Sequence, residues 1–165
     1  MKKKIILNEE QINQKITRIA HQIIECNIGE KEIIIAGIEK NGFIIATKLK
    51  QSLANISDIK ITTCSVKINK ENPLDEVTTS LNEDYYLNKS LVLVDDVLNS
   101  GATLIYAVKY FLNTEIKQFK TAVLINRNHK KYPVKADFKG ISLSTTTINH
   151  IKVRFTNNKA EAFLS

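Results

Sequence analysis

Two adjacent carboxylates, Asp95 and Asp96, stand in the most informative stretch of the sequence, SLVLVDDVLNSGATL, from Ser90 to Leu104. The residues before them, SLVLV, are almost all apolar and are typical of a buried strand. Adjacent like charges repel each other, and a carboxylate is costly to bury without a partner. The pair therefore indicates a ligand or a partner that compensates this cost.

The segment after the acid pair is small and polar, and a helix is predicted to begin at about Ala102. Small residues let successive backbone N–H groups converge, and a helix N-terminus adds partial positive charge, so the segment favours a bound phosphate. The hydroxyls of Ser100 and Thr103 can donate to the same phosphate oxygens. The predicted anion site consists of Val97, Leu98, Asn99, Ser100, Gly101, Ala102 and Thr103.

Two carboxylates beside a phosphate site indicate a ribose 5-phosphate, because a ribose offers two vicinal hydroxyls to the carboxylates. The sequence contains neither GxxxxGK[ST] nor GxGxxG, which argues against a P-loop or a dinucleotide fold. Carboxylates also suit hard cations, but neighbours on a strand point to opposite faces and no third ligand is nearby in sequence. A capped helix start with two solvated acids is the remaining alternative.

The elements that position this site alternate between helices and strands. Asn8 and Gln11 have the spacing of a capping box, before a helix that stops near Gly29. The other predicted elements are strands over 32–37, 58–66, 90–94, 119–125, 135–138 and 151–155, and helices over 43–53 and 102–113. This alternation predicts an α/β fold, a mainly parallel sheet with helices on both faces and ligands at the carboxyl ends of the strands.

Composition favours a single domain with anionic partners. The chain has 165 residues and a formal net charge of +7, which favours phosphorylated metabolites, nucleic acid or both. Asn8, Glu9 and Glu10 interrupt the first apolar run, and no later run approaches the roughly 18 apolar residues of a membrane span. We expect a cytoplasmic protein with no membrane partner, in which Cys26 and Cys64 are structural thiols.

The stretch LVLVDDVLNSGATL resembles the phosphoribosyl-pyrophosphate motif of the type I phosphoribosyltransferases. Residues 15–27, 33–49 and 122–140 resemble, in order and spacing, the bifunctional pyrimidine operon regulators and uracil phosphoribosyltransferases of that family. The resemblance covers most of residues 15–155, apart from 67–89. It implies the type I phosphoribosyltransferase fold with a small hood, in one domain over residues 1–165, assembled as a homodimer or a larger homo-oligomer.

The activity that the resemblance implies is transfer of ribose 5-phosphate from phosphoribosyl pyrophosphate to a free base, with uracil giving UMP in nucleotide salvage. Mg²⁺ is the implied cofactor, and it neutralises the leaving pyrophosphate. Asp95 and Asp96 would hold the ribose hydroxyls, and residues 97–103 the 5-phosphate. Segment 67–89 would be a flexible lid, and segment 126–140 a hood over the base. The other implied site residues are Glu39, Lys40, Asn41 and Gly42 at pyrophosphate, Arg127, Asn128 and His129 in the hood, and Asp137 at the metal and pyrophosphate.

The sequence departs from the family pattern at the pyrophosphate loop, which usually reads Thr-Arg-Gly and here reads Lys40-Asn41-Gly42. Lys40 would supply a catalytic cation, but as a point charge without the bidentate fork of arginine. Ser100 and Ala102 replace the usual threonine and arginine, so the second change loses a cation. These changes favour binding over turnover.

An alternative follows from the same departures, namely a nucleotide-sensing, RNA-binding regulator of pyrimidine genes with little turnover. Thr17, Arg18 and His21 lie on the polar side of the first predicted helix, at positions that match RNA contacts in the regulatory family. A polar helical face is also what an ordinary solvated helix shows.

Overall fold

The structure is a computed structural model that describes residues 3–144 and 149–165. Asn8 caps the first helix as the sequence predicts, because its side chain accepts from the Gln11 N–H at 2.9 Å while the Gln11 side chain accepts from the Asn8 N–H at 2.9 Å. No helix in these two ranges is long and apolar enough to cross a membrane. The elements, in chain order, are β1 Lys4–Leu7, α1 Glu9–Glu25, β2 Glu32–Ile38, α2 Asn41–Ile56, β3 Lys60–Lys67, β4 Thr78–Thr79, a 3-10 helix Glu83–Tyr86, β5 Ser90–Leu98, α3 Ala102–Phe111, β6 Gln118–Arg127, β7 Phe138–Leu143, β8 Ile151–Thr156 and β9 Lys159–Leu164.

The main sheet has the strand order β4-β3-β2-β5-β6-β7. Its strands run parallel from β3 to β7, and only β4 is antiparallel. The chain adds β3 on one side of β2 and β5 on the other, so the strand order reverses between the carboxyl ends of β2 and β5. A crevice at such a reversal is where open parallel sheets bind ligands.

Two apolar cores cover the two faces of the main sheet. On one face, α1, α2 and a second, smaller sheet pack against β2, β5 and β6. On the other face, α3 and Tyr86 pack against the same strands and β3. The prediction of a mainly parallel sheet with helices on both faces is therefore confirmed.

The smaller sheet joins the two ends of the chain. It has the order β1-β9-β8, and both pairings are antiparallel. The strand predicted over 151–155 is β8, observed over Ile151–Thr156. The strand predicted over 135–138 begins later, at Phe138, which is the first residue that pairs with β6. The Lys135 carbonyl instead accepts from the Thr121 hydroxyl at 2.6 Å.

Segment 67–89, which the sequence predicts to be a flexible lid, contains two short regular elements. Residues 78–79 form β4 on the end of β3, and a 3-10 helix follows. Tyr86 is 1% exposed, donates to the Thr79 hydroxyl at 2.7 Å and packs edge-on against Phe111. Sequence periodicity missed this packing because a single aromatic residue anchors it. Only residues 68–77, which we call the flap, project from the sheet.

Candidate functional site

The acid pair lies inside β5, which continues four residues beyond its predicted end to Leu98. Asp95 is 4% exposed, whereas Asp96 is half-buried. The Asp95 carboxylate accepts from the Asp96 N–H at 2.9 Å, and the Asp96 carboxylate accepts from the Val97 N–H at 2.8 Å. Burial and the neighbouring Asp96 charge raise the pKa of Asp95 to about 7, although Lys70 acts in the opposite direction. Asp95 therefore lacks full compensation within the protein.

The loop between β5 and α3 has a path that one glycine permits. Gly101 has φ of +89°, and a Cβ there would lie 2.6 Å from Cγ1 of Val134. The Ser100 carbonyl accepts from the backbone N–H groups of Lys131 and Tyr132 at 2.8 and 3.1 Å. Gly101 has no side chain to cap α3, and no acidic residue lies in the first turn of α3. The loop thus presents a helix N-terminus that favours an anion.

A cavity of about 390 Å³ unites the acid pair, the loop and the smaller sheet. Its wall includes Asp95, Asp96, every residue of the predicted anion site over 97–103, and Asn41. Strand β8 forms another part of the wall through residues 151–154, together with Phe163 of β9. One site therefore combines two carboxylates, a phosphate-sized loop and a partly apolar wall.

Asn41 stands where the family pattern has arginine, and it is held in place by two acceptors. Its side-chain amide donates to Oδ2 of Asp96 at 2.8 Å and to the Val153 carbonyl at 2.9 Å. The amide thereby links the acid pair of the main sheet to β8 of the smaller sheet. Both amide hydrogens are used in these two bonds, so position 41 places a neutral, engaged group where the family pattern has a cation.

The other residues of the predicted pyrophosphate loop lie differently. Gly42 packs against β5, where a Cβ would lie 2.6 Å from the Val94 carbonyl oxygen. Glu39 and Lys40 line a separate cavity of about 300 Å³ beside the end of β3. The backbone N–H of Glu39 donates to the Val66 carbonyl at 2.9 Å. Lys40 therefore lies beside the main cavity, outside the wall formed by the described residues.

The predicted hood residues lie at the carboxyl end of β6, outside the described wall of the main cavity. Arg127 is buried and donates to the Asn99 side chain at 3.2 Å, so it supports the anion loop from behind. Asn128 donates to the Ser144 hydroxyl at 3.0 Å, and His129 is exposed. The structure places these residues next to the loop, and their contact with a base stays a prediction.

Asp137 is held in a structural role. Its carboxylate accepts from the Thr121 N–H at 2.9 Å and forms an ion pair with Lys135 at 3.4 Å. It precedes β7 and is absent from the described wall of the cavity. We therefore leave Asp137 out of the proposed metal and pyrophosphate site.

The residues predicted to contact RNA share the exposed side of α1, but one of them is engaged. Arg18 donates to the carbonyl of Lys139 at 2.9 Å and of Gly140 at 2.6 Å, which ties α1 to β7. The Thr17 hydroxyl donates to the Asn13 carbonyl of its own helix at 3.0 Å. His21 is exposed.

Sequence reasoning did not name seven residues of the described cavity wall, namely Lys70, Leu104, Ile151, Lys152, Val153, Arg154 and Phe163. Alternation in IKVRF places Lys152 and Arg154 on one face of a strand, and this signal could have identified them. Lys70 carries no comparable signal, because its position depends on the path of the flap. Its ammonium lies 3.5 Å from Oδ1 of Asp95.

The two carboxylates of the described cavity wall could bind a metal ion that a ligand also coordinates. No group of three or more His, Cys, Asp or Glu side chains is arranged to hold a metal ion among residues 3–144 and 149–165. Mg²⁺ usually retains several waters and binds one or two carboxylates together with substrate phosphates. Asp95 and Asp96 meet that requirement, so they are the residues that would hold Mg²⁺ beside a phosphorylated ligand.

The fold and the cavity define an α/β protein with a candidate ligand site at the reversal of its strand order. The family model for the phosphoribosyl transferase domain matches residues 3–158, so the chain belongs to the phosphoribosyl transferase family. Within that family it is 33% identical to the bifunctional protein PyrR of Clostridium novyi (strain NT), over 96% of this chain and 94% of the relative. It is 29% identical to the bifunctional protein PyrR of Staphylococcus saprophyticus, over 93% of this chain and 92% of the relative.

Solved structures show the same fold. A hypoxanthine-guanine phosphoribosyltransferase from Bacillus anthracis matches with a TM-score of 0.71 and 22% identity, over 86% of this chain and 82% of that one. The hypoxanthine phosphoribosyltransferase from Trypanosoma cruzi, in complex with the product IMP, matches with a TM-score of 0.75 and 17% identity, over 90% and 82%. The resemblance to the type I phosphoribosyltransferase fold is confirmed.

Proposed function

We propose that this protein binds phosphoribosyl pyrophosphate and transfers its ribose 5-phosphate to a free base, with uracil giving UMP. One observation carries the proposal. Asp95, Asp96 and the whole loop over 97–103 line the same cavity, with the N-terminus of α3 at one side. That arrangement provides acceptors for two ribose hydroxyls and donors for a phosphate at adjacent positions.

In the proposed mechanism the protein binds and orients the sugar while charge develops on it. Backbone N–H groups of the loop and the hydroxyls of Ser100 and Thr103 bind the 5-phosphate. Asp95 and Asp96 accept from the ribose hydroxyls and stabilise the positive charge of an oxocarbenium-like transition state. Asp95 and Asp96 are the residues that would hold Mg²⁺, and the bound ion would neutralise negative charge on the leaving pyrophosphate.

A second function, regulation through RNA, is favoured by Asn41. A neutral amide engaged with Asp96 and Val153 stands where the family pattern has a pyrophosphate-binding arginine. Such a site favours nucleotide binding over turnover, and the PyrR relatives are named bifunctional. Thr17, Arg18 and His21 on α1 are the proposed RNA contacts, and Arg18 also donates to two carbonyls of β7. A homodimer or larger oligomer and a cytoplasmic location are part of the same proposal.

A pyrophosphate-release assay with Mg²⁺, phosphoribosyl pyrophosphate and a panel of free bases tests the enzyme. Calorimetry with UMP tests the sugar-phosphate site independently of turnover. Turnover with uracil supports the first function, and UMP binding without turnover of any base supports the second. If neither UMP nor phosphoribosyl pyrophosphate binds, both functions are wrong.

Salt and UMP dependence test the regulator directly. Binding to a pyrimidine-operon leader RNA should weaken steeply between about 50 and 200 mM salt, because a basic face releases counterions from the RNA backbone. UMP should change that affinity by about 1 to 3 kcal/mol if the two sites are coupled. RNA binding that ignores both UMP and RNA sequence would contradict regulation.

A further inference from the structure

The flap, residues 68–77, has an internal structure of its own. The side-chain oxygen of Asn69 accepts from the backbone N–H groups of Glu71 and Asn72 at 3.0 and 3.2 Å. The Asp75 carboxylate accepts from the side-chain amides of Asn69 and Asn72 at 2.7 and 2.6 Å. These bonds fix the shape of the turn that carries Lys70.

Lys70 reaches from this turn into the main cavity. Its ammonium lies 3.5 Å from Oδ1 of Asp95, and the Lys70 side chain is 47% exposed whereas that of Asp95 is 5% exposed. The lysine therefore covers a buried carboxylate from the solvent side. Asp95 is one of the two groups that would accept from the ribose, so Lys70 and a ribose hydroxyl compete for the same carboxylate.

Few cationic side chains lie in the described wall of the main cavity, so the position of Lys70 matters for a negatively charged ligand. Asn41 is neutral and Lys40 lines the neighbouring cavity, so the loop after β2 places no cation in the described wall. The cations that do line it are Lys70, Lys152 and Arg154. Of these, Lys70 is the one that forms an ion pair with the acid pair, through Asp95.

We propose that Lys70 is a substrate-specificity residue that alternates between two partners. In the free protein it pairs with Asp95. When the ribose hydroxyls of phosphoribosyl pyrophosphate take Asp95, the ammonium moves to the adjacent pyrophosphate and supplies the cation that position 41 lacks. UMP takes Asp95 in the same way but has no pyrophosphate, so Lys70 loses a partner and gains none. Lys70 therefore favours phosphoribosyl pyrophosphate over UMP, an inference that rests on the proposed sugar-phosphate site.

The test compares Lys70→Met with Lys50→Met, which removes the same charge from an exposed position on α2. Calorimetry with Mg²⁺ measures the affinity of each variant for phosphoribosyl pyrophosphate and for UMP. In Lys70→Met, the affinity for phosphoribosyl pyrophosphate should fall about tenfold or more, as expected for a lost charge-assisted contact. The affinity for UMP should stay the same or increase. Lys50→Met should change neither.

The ratio of the two affinities decides the inference. Equal weakening of both ligands in Lys70→Met, or no change in either, overturns it. If the wild-type protein binds UMP but not phosphoribosyl pyrophosphate, the inference fails and the nucleotide site stands. If the wild-type protein binds neither ligand, the proposed function fails, and the inference fails with it.

Limited proteolysis of the free protein tests the other half of the exchange. Without the pair to Asp95, the flap of Lys70→Met should be cut faster than that of wild type or Lys50→Met. Equal rates of cleavage in all three proteins would show that Lys70 does not hold the flap on the acid pair, and the inference would be wrong.

Discussion

The amino ends and the carboxyl ends of the parallel strands form two edges of the main sheet, the amino edge and the carboxyl edge. Each edge carries a partly or fully buried carboxylate, but only the one at the amino edge has several compensating partners. At the amino edge, Glu32 of β2 accepts from the Thr62 hydroxyl at 2.5 Å and the Tyr85 hydroxyl at 2.7 Å. It also pairs with Lys60 at 3.3 Å and Lys89 at 3.1 Å. Burial raises the pKa of Glu32, but these four hydrogen-bonding partners outweigh burial and lower it to about 2.

At the carboxyl edge, Asp95 has one lysine at 3.5 Å and a second carboxylate as its neighbour, and its pKa is raised to about 7. A carboxylate whose partners all belong to the protein contributes to the stability of the fold. A buried carboxylate with incomplete compensation lowers stability, and it gains its missing partners when a ligand binds. The difference separates a structural edge from the proposed binding edge within one sheet.

The largest expected effect is loss of ligand binding on replacing the acid pair. In Asp95→Asn with Asp96→Asn, each lost charge-assisted hydrogen bond should cost about 1.5 to 3 kcal/mol of UMP binding. Calorimetry measures this loss, and the melting temperature of the free variant should not fall. Glu32→Gln is the control and should bind UMP as the wild type does. Unchanged UMP affinity in the double variant would contradict the ribose assignment.

A smaller effect is expected on stability at the amino edge. Glu32→Gln should reduce the free energy of unfolding at pH 7 by about 1 kcal/mol, because Lys60 and Lys89 are partly solvated and their pairing is screened. Chemical denaturation measures the change. Glu30→Gln, which removes the single ion pair to Lys117 at 2.7 Å, should cost less. If Asp95→Asn destabilises the protein more than Glu32→Gln, the two edges do not differ as described.

The pH dependence of stability should have opposite signs at the two edges. The stabilisation by Glu32 is present above its ordinary pKa of 4.5 and is lost as pH falls toward 2. The penalty at Asp95 develops as pH rises from 3.8 to about 7, because the folded protein favours the neutral acid. The difference in free energy of unfolding between wild type and Glu32→Gln should therefore shrink as the pH falls. The stability of wild type relative to Asp95→Asn should decrease as the pH rises toward neutral. Parallel pH profiles of the two differences would argue against this account.

The smallest expected effect is protection of the flap. Protease should cut the free protein within residues 68–77 and spare 78–89, because Tyr86 anchors the second range in the core. Phosphoribosyl pyrophosphate with Mg²⁺ should slow the cut several-fold if the flap closes over it. Cleavage within 83–89, or an equal rate with and without ligand, would contradict the flap boundaries or its closure.

The sequence was sufficient for most strands of the main sheet and for the position of the loop over 97–103, because both depend on local signals, whereas phosphate binding by that loop stays a prediction. Continuous β-branched runs mark parallel strands, and a short polar segment between a strand and a helix marks a phosphate site. Lys40 and Asp137 show the limit. Both residues lie outside the described wall of the main cavity. Lys40 lines the neighbouring cavity, and Asp137 is bound by the Thr121 N–H. Side-chain direction depends on contacts from distant segments, which no local pattern contains.

The sequence could not predict the position of the smaller sheet or of Lys70 at the cavity, for a related reason. β8 meets the acid pair through the bond from Asn41 to the Val153 carbonyl, which joins residues 112 positions apart. The Lys70 contact depends on how the flap turn is held by Asn69 and Asp75. Both features are products of tertiary structure, and they determine which charges a ligand meets.

The contact between Gly42 and β5 has a consequence for how such a site evolves. A Cβ at position 42 would lie 2.6 Å from the Val94 carbonyl oxygen and 3.1 Å from Cα of Asp95, so the backbone itself excludes any other residue. The side chains of Lys40 and Asn41 lie outside that contact, because Lys40 lines the neighbouring cavity and Asn41 donates to Asp96 and Val153. Mutation can thus exchange the charges of this loop while its course beside the acid pair is inherited unchanged.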